Sequence, residues 1–270
     1  MKKYILLSLA GLLGLASCND KLNSDPLNDL TQEQIMEVIK RNPTKVLGPM
    51  VNGVEAFPGA AGTSTVTYMN IHVFNLIMDL RGNDMVQIQP AGSWLQGEYR
   101  MSDFGFRNET AGGNGNYWEQ FYAHVYKANQ LLDLIPDFSE VSDPEVLKLL
   151  KRYKASALTL RAYAYTYLMW IYQDDYLHGG KDKAGVPLYL TVGEPKDRAP
   201  SQEVWDRILK DAGDAVTLFT EAGVDPKAAA NDFDASVANV VLARAAITVG
   251  DWATAINAAK AVIDVYPVLM

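Results

Sequence analysis

The 270-residue sequence contains a single cysteine, Cys18. One cysteine excludes an intrachain disulfide and any zinc site built from two or four cysteines. Histidine is also scarce: three residues stand far apart, and no HExxH pattern occurs. Nothing in the sequence indicates a metal ion or another cofactor, so none is predicted.

Motifs of the common enzyme classes are absent. There is no GxSxG nucleophile elbow and no GxxxxGK[ST] phosphate loop. Asp103-Phe104-Gly105 spells a protein-kinase triplet but lacks the companion motifs. Glycosidases need two carboxyl groups about 5 to 9 Å apart. No such pair stands out among the 32 acidic residues. The prediction is a protein that is not an enzyme, and a surface hydrolase is the least favoured alternative.

Basic residues are fewer than acidic ones, 24 against 32, which gives a formal charge of −8. Lys2 and Lys3 lie in a segment that we expect to be cleaved, and their loss leaves 22 basic residues and a charge of −10. This excess of negative charge argues against nucleic acid as a partner. The hydrophobic and charged fractions, 49% and 21%, are those of an ordinary globular protein.

Long hydrophobic runs are missing except at the N-terminus. Met1-Lys2-Lys3 precedes a run of 12 mostly apolar residues, Tyr4 to Leu15. A membrane-spanning helix needs about 20, so the run fits the core of a secretory signal peptide at 1–17. Leu15-Ala16-Ser17-Cys18 resembles a bacterial lipobox, whose cysteine becomes the first residue of the mature chain and carries acyl chains.

The polar residues 18–30 predict a lipidated tether that holds the folded part at a membrane surface. The alternative is a signal peptide without lipidation and an incidental cysteine. No later run reaches 18 apolar residues, so no membrane span is predicted.

Apolar residues recur at spacings of three and four over most of residues 31–270, which predicts an all-α domain. Thr31 to Gln34 resembles a capping box, and Asp143-Pro144, Ser201 and Asp234 are further helix starts. The predicted helices cover about 31–41, 45–56, 66–80, 118–135, 144–172, 201–219, 234–250 and 252–265, and a short extended piece covers 186–190.

The last two helices fit a tetratricopeptide unit, a helix–turn–helix of 34 residues. Ala243 and Ala255 are the small contact residues, Gly250 lies at the turn and Pro267 ends the unit. The helices that begin near 118 and 144 form an earlier, more divergent pair. The predicted fold is therefore all-α, with tetratricopeptide-like helical repeats and long irregular loops. Such stacks need at least about three units. Since only about two and a half are visible, we expect the domain at 31–270 to be truncated.

Four segments together resemble the SusD/RagB family of nutrient-binding outer-membrane lipoproteins. Their order and spacing carry the likeness more than any one of them does. They are the lipobox with Asn19-Asp20, the segment from Tyr117-Trp118 to Asn129, the segment Arg161-Ala162-Tyr163-Ala164-Tyr165 with the later Val186-Pro187-Leu188, and the helices at 201–211 and 238–263.

The resemblance implies a lipid-anchored protein of the outer membrane that faces the cell exterior. Members of that family sit as a lid on a SusC-like TonB-dependent transporter and capture an oligosaccharide, or in some members a peptide. They carry out no chemistry. Family members are roughly twice as long as this chain, and part of the ligand face usually comes from the half that is absent here.

The Gly- and Asn-rich segment 82–116 is the predicted ligand region, because long irregular loops are often functional. Exposed aromatic rings stack on sugars, and polar neighbours bond the hydroxyl groups. The candidate ligand residues are Trp94, Tyr99, Phe104, Asn83, Asp84 and Arg100. The alternative is that these aromatic residues attach the loop to the helices.

Other clusters are interpreted as structural. Trp118, Trp170, Trp205 and Trp252 are predicted packing residues, as are most tyrosines of the helix at 144–172. Arg161 is predicted to bond a carboxylate or carbonyl between helices. The loop with Asp174, Asp175, His178 and Asp182 is predicted to be solvated, since its spacing is not that of a calcium-binding EF-hand.

The function predicted from these features is the binding of a nutrient glycan and its delivery to a SusC-like TonB-dependent transporter. The alternatives are a peptide-binding member of the same family and a tetratricopeptide-like scaffold of the cell envelope without a small ligand.

Overall fold

The computed structural model describes residues 30–56, 71–82, 85–86, 112–226 and 232–268. Within these ranges the chain forms eight α-helices and one small antiparallel sheet, which confirms the all-α prediction. The helices are α1 (Gln32–Arg41), α2 (Thr44–Ala56), α3 (Ile71–Arg81), α4 (Gly112–Leu132), α5 (Pro144–Tyr172), α6 (Ser201–Ala222), α7 (Ala235–Val249) and α8 (Trp252–Val265). The strands are β1 (Ala184–Pro187) and β2 (Arg198–Pro200).

Side-chain caps start several of these helices, as the sequence predicts. The hydroxyl of Thr31 accepts from the backbone N–H of Gln34, whose side chain accepts in return from the N–H of Thr31. The carboxylate of Asp143 caps α5, and that of Asp234 caps α7. Each cap satisfies backbone donors that have no partner inside the helix.

One predicted helix cap and one predicted helix start are wrong. Ser201 is the first residue of α6 rather than its cap, and its buried hydroxyl has no hydrogen-bond partner among the described residues. Helix α4 begins at Gly112 instead of Trp118, so the Gly- and Asn-rich stretch ends in a helical turn. Intrinsic propensity is a weak guide here because the next turn packs into the core, where Tyr117 is 1% exposed.

Helix α5 is the centre of the molecule. Its 29 residues extend about 44 Å at 1.5 Å per residue. Alanines at 155, 157, 162 and 164 are fully buried, and the small side chains let neighbouring helices approach closely. Helices α4 and α6 both pack along α5.

The core has two parts, one around each half of α5. The first half packs with α1, α2 and the end of α6 through residues such as Leu47, Leu150 and Phe219. The second half packs with α3, α4, β1 and the start of α6 through residues such as Phe74, Phe121 and Trp205. Tyr165 and Tyr167 are buried in this second part, as predicted for most of the tyrosines.

Helices α7 and α8 form the tetratricopeptide-like pair that the sequence predicts. Gly250 joins them with a φ of 78°, a left-handed conformation that favours glycine. Ala243 and Ala255 are buried small contacts.

Trp252 is 59% exposed, so the packing prediction is wrong for it, whereas it is correct for the buried Trp205. Trp170 is partly exposed but packs between α5 and α7, since its ring centroid lies 5.2 Å from that of Tyr167 and its indole N–H donates to Thr248 at 3.0 Å.

A buried carboxylate links α2 to α5. The hydroxyl of Ser156 donates to Glu55 at 2.7 Å, and the guanidinium of Arg152 lies 3.3 Å from the same carboxylate and 2.8 Å from that of Asp232. Burial raises the pKa of Glu55, while Ser156 and Arg152 oppose that rise. The protonated form is therefore favoured more in the folded than in the unfolded chain.

Replacement of Glu55 by glutamine tests this pKa. A raised pKa stabilises the fold below the unfolded value, near pH 4.5, and this contribution is lost as pH rises through the folded value. The free energy of unfolding is measured with urea for Glu55→Gln and for the wild type. The variant should therefore become more stable relative to the wild type as the pH rises from 4 to 7. Glu37→Gln, which changes an exposed carboxylate of α1, should show no such pH-dependent gain. A constant difference for Glu55→Gln at both pH values would contradict the raised pKa.

Candidate ligand-binding site

The site residues predicted from the sequence lie outside the described residues. This holds for the lipidation candidate Cys18 and for the ligand candidates Asn83, Asp84, Trp94, Tyr99, Arg100 and Phe104. All of them stay predictions.

The described residues form an aromatic cavity of about 350 Å³ between α4 and the segment that follows β1. We call this cavity the aromatic pocket. It is lined by Trp118, Tyr122, Val125, Tyr126 and Asn129 of α4 and by Tyr189, Thr191, Val192, Gly193 and Pro195 of the opposite wall. The ring centroids of Trp118 and Tyr122 are 4.7 Å apart, and those of Tyr122 and Tyr189 are 5.7 Å apart, edge to face.

Two adjacent faces of α4 explain how one helix serves both the core and the pocket. Tyr117, Phe121, Ala128 and Leu131 are buried in the core. Residues 118, 122, 126 and 129 follow at helical spacing on the neighbouring face and line the pocket. Tyr126 is 49% exposed, so part of the pocket wall is open to solvent.

The tyrosine in the middle of the pocket is held by a hydrogen bond. The hydroxyl of Tyr122 donates to the carbonyl of Pro187 at 2.8 Å. Burial raises the pKa of this phenol well above its usual value, so the group stays protonated and remains a donor. Tyr172 contacts Trp118 from the end of α5, with ring centroids 5.0 Å apart in an edge-to-face arrangement.

The wall opposite α4 has no regular secondary structure, yet its backbone is fixed by buried side chains. The hydroxyl of Tyr165 accepts from the N–H of Tyr189 at 2.6 Å and lies 3.2 Å from the carbonyl of the same residue. The amide of Asn129 donates to the carbonyls of Tyr189 at 3.0 Å and Thr191 at 3.3 Å. These bonds satisfy backbone groups of a segment that has no regular secondary structure to pair them.

A buried ion pair orients this asparagine. The guanidinium of Arg161 donates from Nη1 to the side-chain oxygen of Asn129 at 2.9 Å and to the carbonyl of Leu190 at 3.0 Å. Its Nε and Nη2 atoms bind both oxygens of Asp211, at 2.7 and 2.9 Å. Because Arg161 has donors only, the Asn129 oxygen must face it and the Asn129 amide must face the wall. The predicted role of Arg161 is thereby confirmed.

The rim of the pocket carries polar groups. The carboxylate of Asp133 accepts from the N–H of Val192 at 3.0 Å, and the hydroxyl of Tyr189 accepts from the N–H of Lys196 at 3.1 Å. The ammonium of Lys196 lies 5.9 Å from the centre of the Tyr189 ring, within range of a cation–π contact.

The acidic loop after α5 has internal partners. Asp174 pairs with Lys183, and Asp175 accepts from the N–H of Leu177 at the start of a short 3₁₀-helix, Tyr176–His178. His178 lies 3.1 Å from Asp175 and lowers the pKa of that carboxyl by a hydrogen bond. Across the ranges that the structure describes, no group of three or more potential metal ligands occurs.

Sequence reasoning did not assign the pocket residues to a site. It assigned Trp118, Tyr122 and Val125 to the core-facing side of the helix predicted at 118–135. A usable signal was present, because α4 carries aromatic residues on two adjacent faces, more than a single core contact requires. The opposite wall could not be found in this way, since it lies about 60 residues further along the chain.

In the described part of the chain, none of the helices is at once long enough and apolar enough to cross a bilayer.

The chain is similar to a known family and to several solved structures. A SusD-like family model described as "Starch-binding associating with outer membrane" matches residues 68–244. A SusD-like carbohydrate-binding protein of Bacteroides vulgatus has 19% identity and a TM-score of 0.67, over 84% of this chain and 46% of its own. A SusD superfamily protein of Bacteroides fragilis has 24% identity and a TM-score of 0.64, over 83% of this chain and 50% of its own.

The same fold occurs in a surface glycan-binding protein A of Bacteroides fluxus, with 17% identity and a TM-score of 0.54, over 90% of this chain and 46% of that one. At these identities the likeness establishes the fold. The chain spans about half the length of these solved structures. The comparison with curated protein sequences found no match.

Replacement of Asp211 by asparagine should strongly destabilise the protein. It leaves Arg161 buried without its counter-charge, which typically costs about 3–5 kcal/mol. The free energy of unfolding in urea measures this loss. The matched control is Asp214→Asn on the same helix, because Asp214 pairs with Lys210 at 2.8 Å on the surface and should contribute less than about 1 kcal/mol. Equal losses in the two variants would contradict the role of the buried pair.

Proposed function

The chain belongs to the SusD-like family, and we propose that it is a cell-surface lipoprotein that binds a nutrient glycan and delivers it to a SusC-like TonB-dependent outer-membrane transporter. The family description names starch binding and the outer membrane. The observation that carries the proposal for this chain is the aromatic pocket, a partly open cavity lined by aromatic rings on both walls and by the polar side chains of Asn129 and Thr191.

The aromatic pocket has the composition that a sugar ring requires. Sugar rings present C–H groups on their faces and hydroxyl groups at their edges, so they need flat apolar surfaces beside hydrogen-bonding groups. Trp118 and Tyr126 supply rings that line the pocket. Charged groups contact two other lining residues, since Asp133 binds the N–H of Val192 and the ammonium of Lys196 lies over the ring of Tyr189. The volume of about 350 Å³ lies at the lower end of small-ligand cavities, so the pocket suits a short part of a longer glycan.

The affinity should be modest. By analogy with the stacking of nucleic-acid bases, each aromatic platform contributes on the order of 1–3 kcal/mol. Two such platforms with a few partly solvated hydrogen bonds favour rapid release, which suits a protein that passes its ligand to a transporter.

The segment 82–116 is proposed as a second source of ligand contacts. Trp94, Tyr99 and Phe104 would supply further rings, and Asn83, Asp84 and Arg100 would bond hydroxyl groups. This segment leads in sequence directly into α4, which carries Trp118 of the aromatic pocket.

The proposed location is the outer membrane, with the lipid on Cys18 and residues 18–30 as tether. A peptide ligand is the alternative within the same family. An envelope scaffold without a small ligand is a further alternative, but a scaffold role does not explain the aromatic lining of the pocket.

Removal of a ring from the aromatic pocket should weaken glycan binding. Calorimetric titration with maltoheptaose and a panel of plant and host oligosaccharides should give about tenfold weaker binding for Tyr126→Ala, because one platform is lost. Trp94→Ala should also weaken it. Trp252→Ala on α8 is the control, since that ring is 59% exposed and does not line the pocket. If Tyr126→Ala binds glycan with unchanged affinity, the aromatic pocket is not part of the glycan-binding site.

The transporter partner is tested by affinity purification of the full-length protein from its native outer membrane, with partners identified by mass spectrometry. A TonB-dependent barrel in near-equal amount is the expected result. Cys18→Ser is the control for anchoring. This variant should no longer be recovered in the membrane fraction, because it lacks the thiol that accepts the lipid. Recovery of other envelope proteins without a barrel would favour the scaffold.

A further inference from the structure

A second cavity, of about 410 Å³, adjoins the aromatic pocket. We call it the polar cavity. Residues 171–174 at the end of α5 form one side, and Lys183, Ala184 and Arg198 at the ends of the two strands form the other. Its lining differs in kind from that of the aromatic pocket, because it includes three charged side chains.

One pair of rings joins the two cavities. Trp118 lines the aromatic pocket, Tyr172 lines the polar cavity, and the two ring centroids are 5.0 Å apart. The connection between β1 and β2 lines the aromatic pocket with residues 189–195 and leads directly to Arg198 of the polar cavity. A glycan that extends past Trp118 would therefore reach the polar cavity.

The charges of the polar cavity leave one cation in excess. Lys183 pairs with Asp174. The guanidinium of Arg198 donates to the carbonyl of Gly185 and, through Nη2, to the carbonyls of Tyr172 at 3.0 Å and Ala184 at 3.1 Å. These carbonyls fix the side chain without neutralising it. Among the ion pairs of the described residues, none involves Arg198.

A fixed guanidinium with donors to spare is suited to a carboxylate. In the described part of the chain, the hydrogen bonds of Arg198 use Nε and Nη2, which leaves the N–H groups of Nη1 for a ligand. Hydrogen bonds between guanidinium and carboxylate are shorter and stronger than neutral ones. The side chain is already held by three backbone carbonyls, so little of its freedom is lost when a ligand binds.

We propose that the polar cavity is a second subsite, which takes the carboxylate of an acidic sugar unit while the aromatic pocket holds a neighbouring unit of the same glycan. The inference rests on the proposed function and names its substrate class, a glycan that contains uronic acid. The overall negative charge of the protein does not oppose it, because charges more than about 8–10 Å away are largely screened at physiological salt.

The carboxylate of Asp174 should limit the affinity of this subsite for an acidic sugar. This group faces Lys183 and would repel the carboxylate of the ligand. Both side chains are more than half exposed, so either can be replaced without a loss of core packing. Asp174→Asn should therefore strengthen the binding of an acidic glycan and Lys183→Gln should weaken it, a pair of opposite effects that a merely structural ion pair would not produce.

The test compares acidic oligosaccharides with their methyl esters, which keep the sugar chain and remove the charge. Calorimetry on the full chain, with oligogalacturonate and oligoglucuronate as probes, should show that at least one acid binds more tightly than its ester. For that acid, Asp174→Asn should bind about threefold more tightly and Lys183→Gln about threefold more weakly, since the effect of a charge that is more than half exposed is weakened by solvent. Neither variant should change the affinity for the ester.

Lys210→Gln is the matched control, because Lys210 pairs with Asp214 on α6 and touches neither cavity. If esters and acids bind equally and the two variants have no effect, the acidic subsite is wrong and the proposed function stands. If neutral oligosaccharides, acids and esters all fail to bind, both the acidic subsite and the proposed function are wrong.

Discussion

The buried ion pair between Arg161 and Asp211 is the interaction on which the candidate site depends. It joins the two longest helices, α5 and α6, where both side chains are almost completely removed from water. A buried pair contributes little net stability compared with apolar packing, but the loss of one partner is costly. Its benefit lies in geometry: Arg161 has donors left for Asn129 and Leu190, and through them it fixes the irregular wall of the aromatic pocket.

This arrangement explains how a wall without regular secondary structure can serve as a binding surface. An irregular segment loses conformational entropy when a ligand orders it, and that loss reduces affinity. Here the carbonyls of Tyr189, Leu190 and Thr191 already have buried donors, so the wall is ordered before any ligand arrives. A modest gain from ring stacking is then available for binding.

Local features of the sequence predicted most of the fold, and contacts distant in sequence account for what was missed. The caps at Thr31, Asp143 and Asp234 depend on neighbours two or three residues away, so a sequence pattern reveals them. The partner type of Arg161 was predictable because a guanidinium on a buried helix needs a carboxylate or carbonyls. The complete aromatic pocket was not predictable, because α4 and its opposite wall lie about 60 residues apart in the sequence and meet only in the folded chain.

The two faces of α4 couple the pocket to the core. Phe121 stacks on Tyr167 in the core with ring planes 9° apart, and Tyr122, the next residue, points its hydroxyl to Pro187 in the pocket wall. Rotation of α4 that moved one ring would move the other, so the pocket cannot change shape without disturbing the aromatic core. Under the proposed function, specificity among glycans should therefore vary through exposed positions such as Tyr126, Asp174 and Lys183, whose side chains can change while the frame of α4, α5 and α6 stays the same.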